Sequence, residues 1–279
     1  MWDALHFEFM RNAVMGGILV SIICGILGTL IVVNRIVFIS GGIAHAAYGG
    51  IGIAVYFGIS PYIGAGFFSF LVSIIMGLIS LKHRERSDTL IGIMWAIGMA
   101  IGIIMIDLKP GYNVDVMGYL FGSIMSVSFY DVICMLIMGV VVFGIVKIFY
   151  KEFLAISYDE DFAFVVGVPV KILYLVLLAM IGLSVVMIIR IVGLILVIAL
   201  LTIPPYIAEK YTSSLSKMMV MSSLLGILFT VLGLWISYKW DLTAGATMIL
   251  IAGCVFFLFY GVDLLKGKGS SPESVNVNK

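Results

Sequence analysis

Val37-Phe-Ile-Ser-Gly-Gly-Ile-Ala-His-Ala-Ala-Tyr-Gly-Gly-Ile-Gly-Ile-Ala-Val-Tyr-Phe-Gly58 is an apolar run with one histidine, His45, at its centre. About 20 apolar residues cross a bilayer as a helix, and this run is that long. Imidazole is costly in hydrocarbon, so a histidine at mid-span points to a pathway or a ligand site. Around it lie Gly41, Gly42, Ala44, Ala46, Ala47, Gly49, Gly50 and Gly52. Such small residues admit a neighbouring backbone, or a permeating ion, close to the helix axis.

The rest of the chain has the same character. It is 63% hydrophobic and 11% charged, with a mean hydropathy of +1.23. A soluble domain carries about 25% charged residues, so a soluble fold is excluded. A net charge of +1 leaves no basic patch for nucleic acid. Cys24, Cys134 and Cys254 all fall in apolar spans without metal-ligand spacing and read as buried small hydrophobes. The first apolar run lacks a cleavage site and reads as a retained helix.

Counting apolar runs gives nine spans: 13–33, 36–58, 62–81, 89–108, 129–150, 172–189, 191–208, 217–238 and 242–265. The fold class is therefore an all-α polytopic membrane protein of eight or nine helices. Residues 114–126 are apolar but too short to cross, and read as a re-entrant segment. Arg190 interrupts the run 172–208, so the split there decides the count. Placing Lys82 to Arg86 in the cytoplasm puts most Lys and Arg inside, with Arg11, Lys109, Arg190 and Lys239 outside. One permease domain, 1–266, then ends in a cytoplasmic tail, 267–279, that reads as disordered.

The one hydrophilic island runs from Lys151 to Lys171. Ser157 is placed to cap a short helix with Asp159, Glu160 and Asp161 in its first turn. Phe162, Val165 and Val166 share a face, and Gly167 and Pro169 end the helix. It reads either as a polar loop or as a docking element for a cytosolic partner.

Several blocks now stand in order. Ser40-Gly-Gly-Ile-Ala-His-Ala resembles the Gly-Asp-x-x-x-His-Ala signature of membrane permease subunits of divalent-metal ABC importers, the zinc, manganese and iron family. Asp88 to Met94, Asp115 to Gly122, Phe153 to Val168 and Val192 to Pro204 resemble four further blocks of that family. The resemblance covers Gly16 to Phe257. It implies a homodimeric permease in a bacterial or archaeal cytoplasmic membrane, with cytosolic ATPase subunits and an extracytoplasmic metal-binding protein. It also implies that the island, through Asp159, Glu160, Ala163 and Gly167, is the coupling helix that docks on the ATPase. The chain has no P-loop. ATP therefore belongs to the partner subunit, and the chain is not an enzyme.

One position departs from the family pattern: the aspartate four residues before the histidine is Gly41 here. The metal-ligand candidates are thus His45, which neutral imidazole chemistry suits to zinc, iron or manganese, and Asp115. Gly41, Gly42 and Gly49 belong to the pathway helix, and Pro204 is a candidate hinge. Alternatively, His45 is a structural histidine bonded between helices. Asp131 and Asp241 read as solvated caps at span ends. The expected cargo is zinc first, then manganese or iron, with no cofactor resident on the chain. The alternative class is a stand-alone ion-coupled transporter, which calls for internal repeats and mid-span acids that the sequence lacks.

Overall fold

The computed structural model describes residues 6–83, 86–109, 124 and 127–265. Among them are eleven helices and no strand: α1 (Glu8–Val33), α2 (Val37–Phe57), α3 (Pro61–Lys82), α4 (Ser87–Asp107), α5 (Phe129–Ile148), α6 (Tyr150–Tyr158), α7 (Glu160–Val165), α8 (Val170–Val192), α9 (Leu194–Tyr211), α10 (Leu215–Trp240) and α11 (Ala244–Leu265). Nine of these, all but α6 and α7, are long and apolar enough to cross a membrane. The re-entrant reading of 114–126 and the tail after 266 lie outside the described residues.

The division of 172–208 falls three residues later than the charge suggests. Arg190 sits in the last turn of α8, and the break comes at Gly193, whose φ of +82° favours glycine. The helix keeps Arg190 because its side chain finds a carboxylate at the span end, as described below.

Lipid offers no hydrophobic drive for helix association, so close backbone approach and polar contacts must supply it. The chain does this with small residues. A Cβ on Gly25 would fall 2.6 Å from the Ser223 backbone nitrogen, and one on Gly17 would fall 2.5 Å from the Thr230 methyl. These contacts seat α1 on α10, where the Ser21 and Thr230 hydroxyls lie 3.0 Å apart. On the other side of the bundle, Ser69 of α3 donates to the Gly182 carbonyl of α8 at 2.9 Å. Within α9, Pro204 and Pro205 remove the donors that the Leu200 and Leu201 carbonyls would otherwise receive. Gly28 of α1 packs against that spot: a Cβ there would lie 2.6 Å from the Leu201 oxygen.

Contacts between helix ends fall into two sets, as alternating spans require. Arg190 meets Asp131 and Tyr62, and Lys109 donates to the Val55 carbonyl, all at one end. At the other end Asn34 donates to Ser157, Tyr174 to Ser80, and the Ser216 N–H to the Tyr150 hydroxyl. Most Lys and Arg belong to this second, basic side.

Candidate functional site: the His45 helix and the basic-side coupling segment

α2 is the most enclosed of the spans. Glycines let α3 and α4 clamp it: Gly52 crosses Gly102 so closely that a Cβ would sit 2.2 Å from the Gly102 oxygen. Gly49 faces the Gly98 carbonyl and Gly50 the Gly64 carbonyl in the same manner. Apart from its end residues Val37 and Phe57, α2 stays open only along a narrow stripe that carries Phe38, His45, Ile53 and Tyr56.

His45 lies on that stripe, half-buried. Its ring stacks on Trp95 of α4, with centroids 4.1 Å apart and planes 19° from parallel. The Trp95 indole N–H is turned away and donates to the Met99 sulfur at 3.0 Å. The stack therefore fixes the imidazole plane without using its nitrogens. Nδ1 is buried and has no hydrogen-bond partner, so the interhelical hydrogen bond expected of a structural histidine is missing at that atom. One turn earlier on the helix, a Cβ on Gly41 would meet nothing within 4 Å. Gly42, by contrast, is pressed on Ile91, 2.5 Å from where its Cβ would be. The two glycines differ: Gly42 is there for packing, and Gly41 borders open space beside the imidazole.

Among the described residues no three His, Cys, Asp or Glu side chains come together. Asp115 lies outside the described residues. His83 and His6 are exposed and remote from α2's open stripe in sequence. The three cysteines are free, with Cys24 buried, Cys134 half-buried and Cys254 exposed, so the expectation that all three are buried holds for Cys24 alone.

Asp131 is not a solvated cap. It does cap α5, in a reciprocal box in which its Oδ2 accepts from the Ser128 hydroxyl at 2.7 Å and the Ser128 N–H at 3.1 Å. It is also only 6% exposed, and Arg190 reaches its other oxygen at 2.7 Å. The Arg190 guanidinium in turn lies 4.1 Å over the Tyr62 ring. Three helices, α3, α5 and α8, are tied at this one point. Asp241, as expected, is exposed at the end of α10.

The island from 151 to 171 is two helices, not one. Ser157 lies in the last turn of α6, where its hydroxyl accepts from Asn34 at 3.1 Å. The cap of α7 is Asp159, accepting from the Phe162 N–H at 2.9 Å. Ser157 is taken up by the bond from Asn34, which leaves Asp159 to cap α7. Ala163 is fully buried, while Phe162, Phe164, Val165 and Val166 are all exposed, Val165 by 82%. Gly167 ends the segment at φ +91°.

A bundle of nine helices long and apolar enough to span a bilayer, with a capped two-helix segment on its basic side, is the frame of a polytopic membrane protein. The profile of the ABC 3 transport family matches residues 6–262. The chain is 50% identical over 258 residues to the membrane protein slr2045 of Synechocystis sp., covering 92% of each chain. It is 33% identical over 256 residues to the manganese transport system membrane protein MntC of Listeria monocytogenes, covering 92% of this chain and 91% of that one. PsaBC from Streptococcus pneumoniae, solved in complex with a Fab, superposes with a TM-score of 0.82 at 33% identity over 92% of each chain. The chain belongs to the ABC 3 transport family. It is a permease subunit and not an enzyme, and the stand-alone transporter reading falls away.

Sequence reasoning missed Trp95 and the Asp131–Arg190 pair. Trp95 directly follows the block Asp88 to Met94 that was singled out, but nothing in its spacing relates it to His45. The pair had a signal: two opposite charges assigned to the same side of the membrane at the ends of different spans.

Proposed function

We propose that this chain is the membrane subunit of an ATP-driven importer that carries a divalent transition metal into the cytoplasm. The observation that carries this reading is His45: a half-buried imidazole with an unpartnered Nδ1, held in plane by Trp95 and bordered by open space at Gly41. A nitrogen donor at mid-span, with few other ligands, suits a metal that must bind and then leave. Two copies of the chain, meeting along the open stripe of α2, would bring two imidazoles to one path.

Manganese takes first place as cargo, ahead of iron and the zinc expected from sequence. Support for this order comes from a relative that bears a manganese transport name at 33% identity. Manganese favours oxygen ligands, so in this reading water and backbone carbonyls of the path complete its shell beside His45 where Gly41 supplies no carboxylate.

In this reading the positive charges place α6 and α7 in the cytoplasm. The exposed Phe162, Phe164, Val165 and Val166 dock on the ATPase, and the capped turn at Asp159 holds α7 rigid so that it transmits the push. A second, extracytoplasmic protein delivers the metal. Alternating access follows when ATPase closure tilts the spans that pack on α8 and exposes His45 first outward, then inward. The test is uptake by vesicles holding the permease, its ATPase and its binding protein, with manganese, iron and zinc in competition. ATP-dependent accumulation in which manganese displaces the others supports the order given; preferential zinc uptake reverses it, and absence of metal uptake overturns the reading.

A further inference from the structure

α1 packs on both α5 and α10, and between the three helices a groove of about 620 Å³ opens on the bundle surface. Its walls are apolar: Ile22 and Ile26 from α1, Phe143 and Val146 from α5, Met219 and Leu224 from α10. Its base is closed by the tight approach of α1 to α10 at Gly25. Ser223 lies under Gly25, where no side chain fits, and its hydroxyl donates back to the Met219 carbonyl at 2.8 Å. A continuous apolar lining of this kind gives an alkyl chain van der Waals contact along its length.

The charged and hydroxyl-donating groups gather at the basic-side end of the groove. Lys147 lies there, its ammonium 5.9 Å over the Phe143 ring and exposed. Beside it, the Tyr150 hydroxyl accepts the Ser216 N–H at 3.1 Å, which leaves the phenolic hydrogen to donate outward. Lys217 follows Ser216 in the first turn of α10. No carboxylate lines the groove among the described residues. An apolar slot that ends in a cation and a hydroxyl donor, at the level of the cytoplasmic headgroups, matches one molecule in shape and charge.

We propose that this groove is a binding site for an anionic phospholipid of the cytoplasmic leaflet. One acyl chain lies along Ile22, Ile26 and Leu224, and the phosphate meets Lys147 and the Tyr150 hydroxyl. Basic residues between spans on the cytoplasmic side hold anionic headgroups through the same attraction. The bound lipid would act as a spacer between α5, which leads directly into the coupling segment at Tyr150, and α10. The site is independent of which metal is carried and of whether transport occurs.

The test places the photoreactive residue benzoylphenylalanine at Val220, an exposed position on the groove wall. The protein is reconstituted in vesicles of equal phosphatidylglycerol and phosphatidylcholine, irradiated, and its adducts are weighed. Phosphatidylglycerol adducts should exceed phosphatidylcholine adducts at least threefold, and Lys147→Gln should bring the ratio near one. Lys147→Arg, which keeps the charge, should retain the preference and so separates lost charge from lost fold. A ratio near one with lysine in place would overturn the proposal, as would adducts to a second copy or another protein.

Discussion

Arg190 Nη2 lies 2.7 Å from Asp131 Oδ1, joining the end of α8 to the start of α5 beneath the Tyr62 ring. The carboxylate is buried and the guanidinium about a third exposed, so the two partners are not equivalent. Removing Arg190 leaves the buried carboxylate with Ser128 alone as partner, which costs about 1–3 kcal/mol. Removing both partners costs less, because no charge is left unpaired. Arg190→Met alone should therefore lower the thermal midpoint of the detergent-solubilised protein more than Arg190→Met with Asp131→Asn. Equal losses in the two variants would show that the pair is not coupled.

Glycines on α2 that look alike in sequence should behave oppositely. Gly52→Ala drives a Cβ into the Gly102 carbonyl, and overpacking of this kind costs about 1–3 kcal/mol. Gly41→Ala meets nothing and should be neutral, or stabilising by about 0.5–1 kcal/mol through lost chain freedom. Unfolding midpoints of the two variants, measured side by side, check this.

Gly41→Asp tests the open space chemically. It sets a carboxylate one turn from His45 on the same face, and the geometry gives it room. On the proposed function, metal affinity should rise by about tenfold, worth about 1.4 kcal/mol, and release should slow. Isothermal titration with manganese reads the first effect and single-turnover uptake the second. Unchanged affinity would mean that the space beside Gly41 is not part of the metal path.

The α7 surface should separate assembly from folding. Val165→Asp and Phe162→Asp put charge on exposed apolar positions and should abolish co-purification with the ATPase while leaving the melting curve within about 0.5 kcal/mol of the unaltered protein. Asp159→Ala removes the α7 cap, costs about 1 kcal/mol locally, and should weaken ATPase binding without abolishing it. Retained ATPase binding by both aspartate variants would move the docking surface elsewhere.

Much of this architecture was legible in the sequence because hydrocarbon solvent enforces a simple rule: long apolar runs cross, and charges mark the ends. That logic gave all nine spans and the membership of Lys109 and Arg190 in one end set. It misplaced the α8–α9 break because Arg190 reads as an interruption until a partner carboxylate is seen across the bundle. It also gave Ser157 the capping role of Asp159, since both residue types cap helices and only the tertiary bond from Asn34 decides between them. At the site, the single mid-span histidine was plain. Its stack on Trp95 was not, because contacts between α2 and α4 depend on which glycines face each other, and helical periodicity alone does not rank Gly41, Gly42 and Gly49. The zinc-first ordering came from ligand chemistry that several metals share.

The most direct test of the account is manganese uptake by the complete transporter with His45→Ala. The substitution leaves the Gly52–Gly102 crossing and the α7 surface untouched, so assembly with the ATPase and ATP hydrolysis serve as internal controls. The account predicts that uptake falls at least tenfold while ATPase co-purification is unchanged. Uptake at the unaltered rate with the complex intact would contradict it and return His45 to a purely structural place beside Trp95.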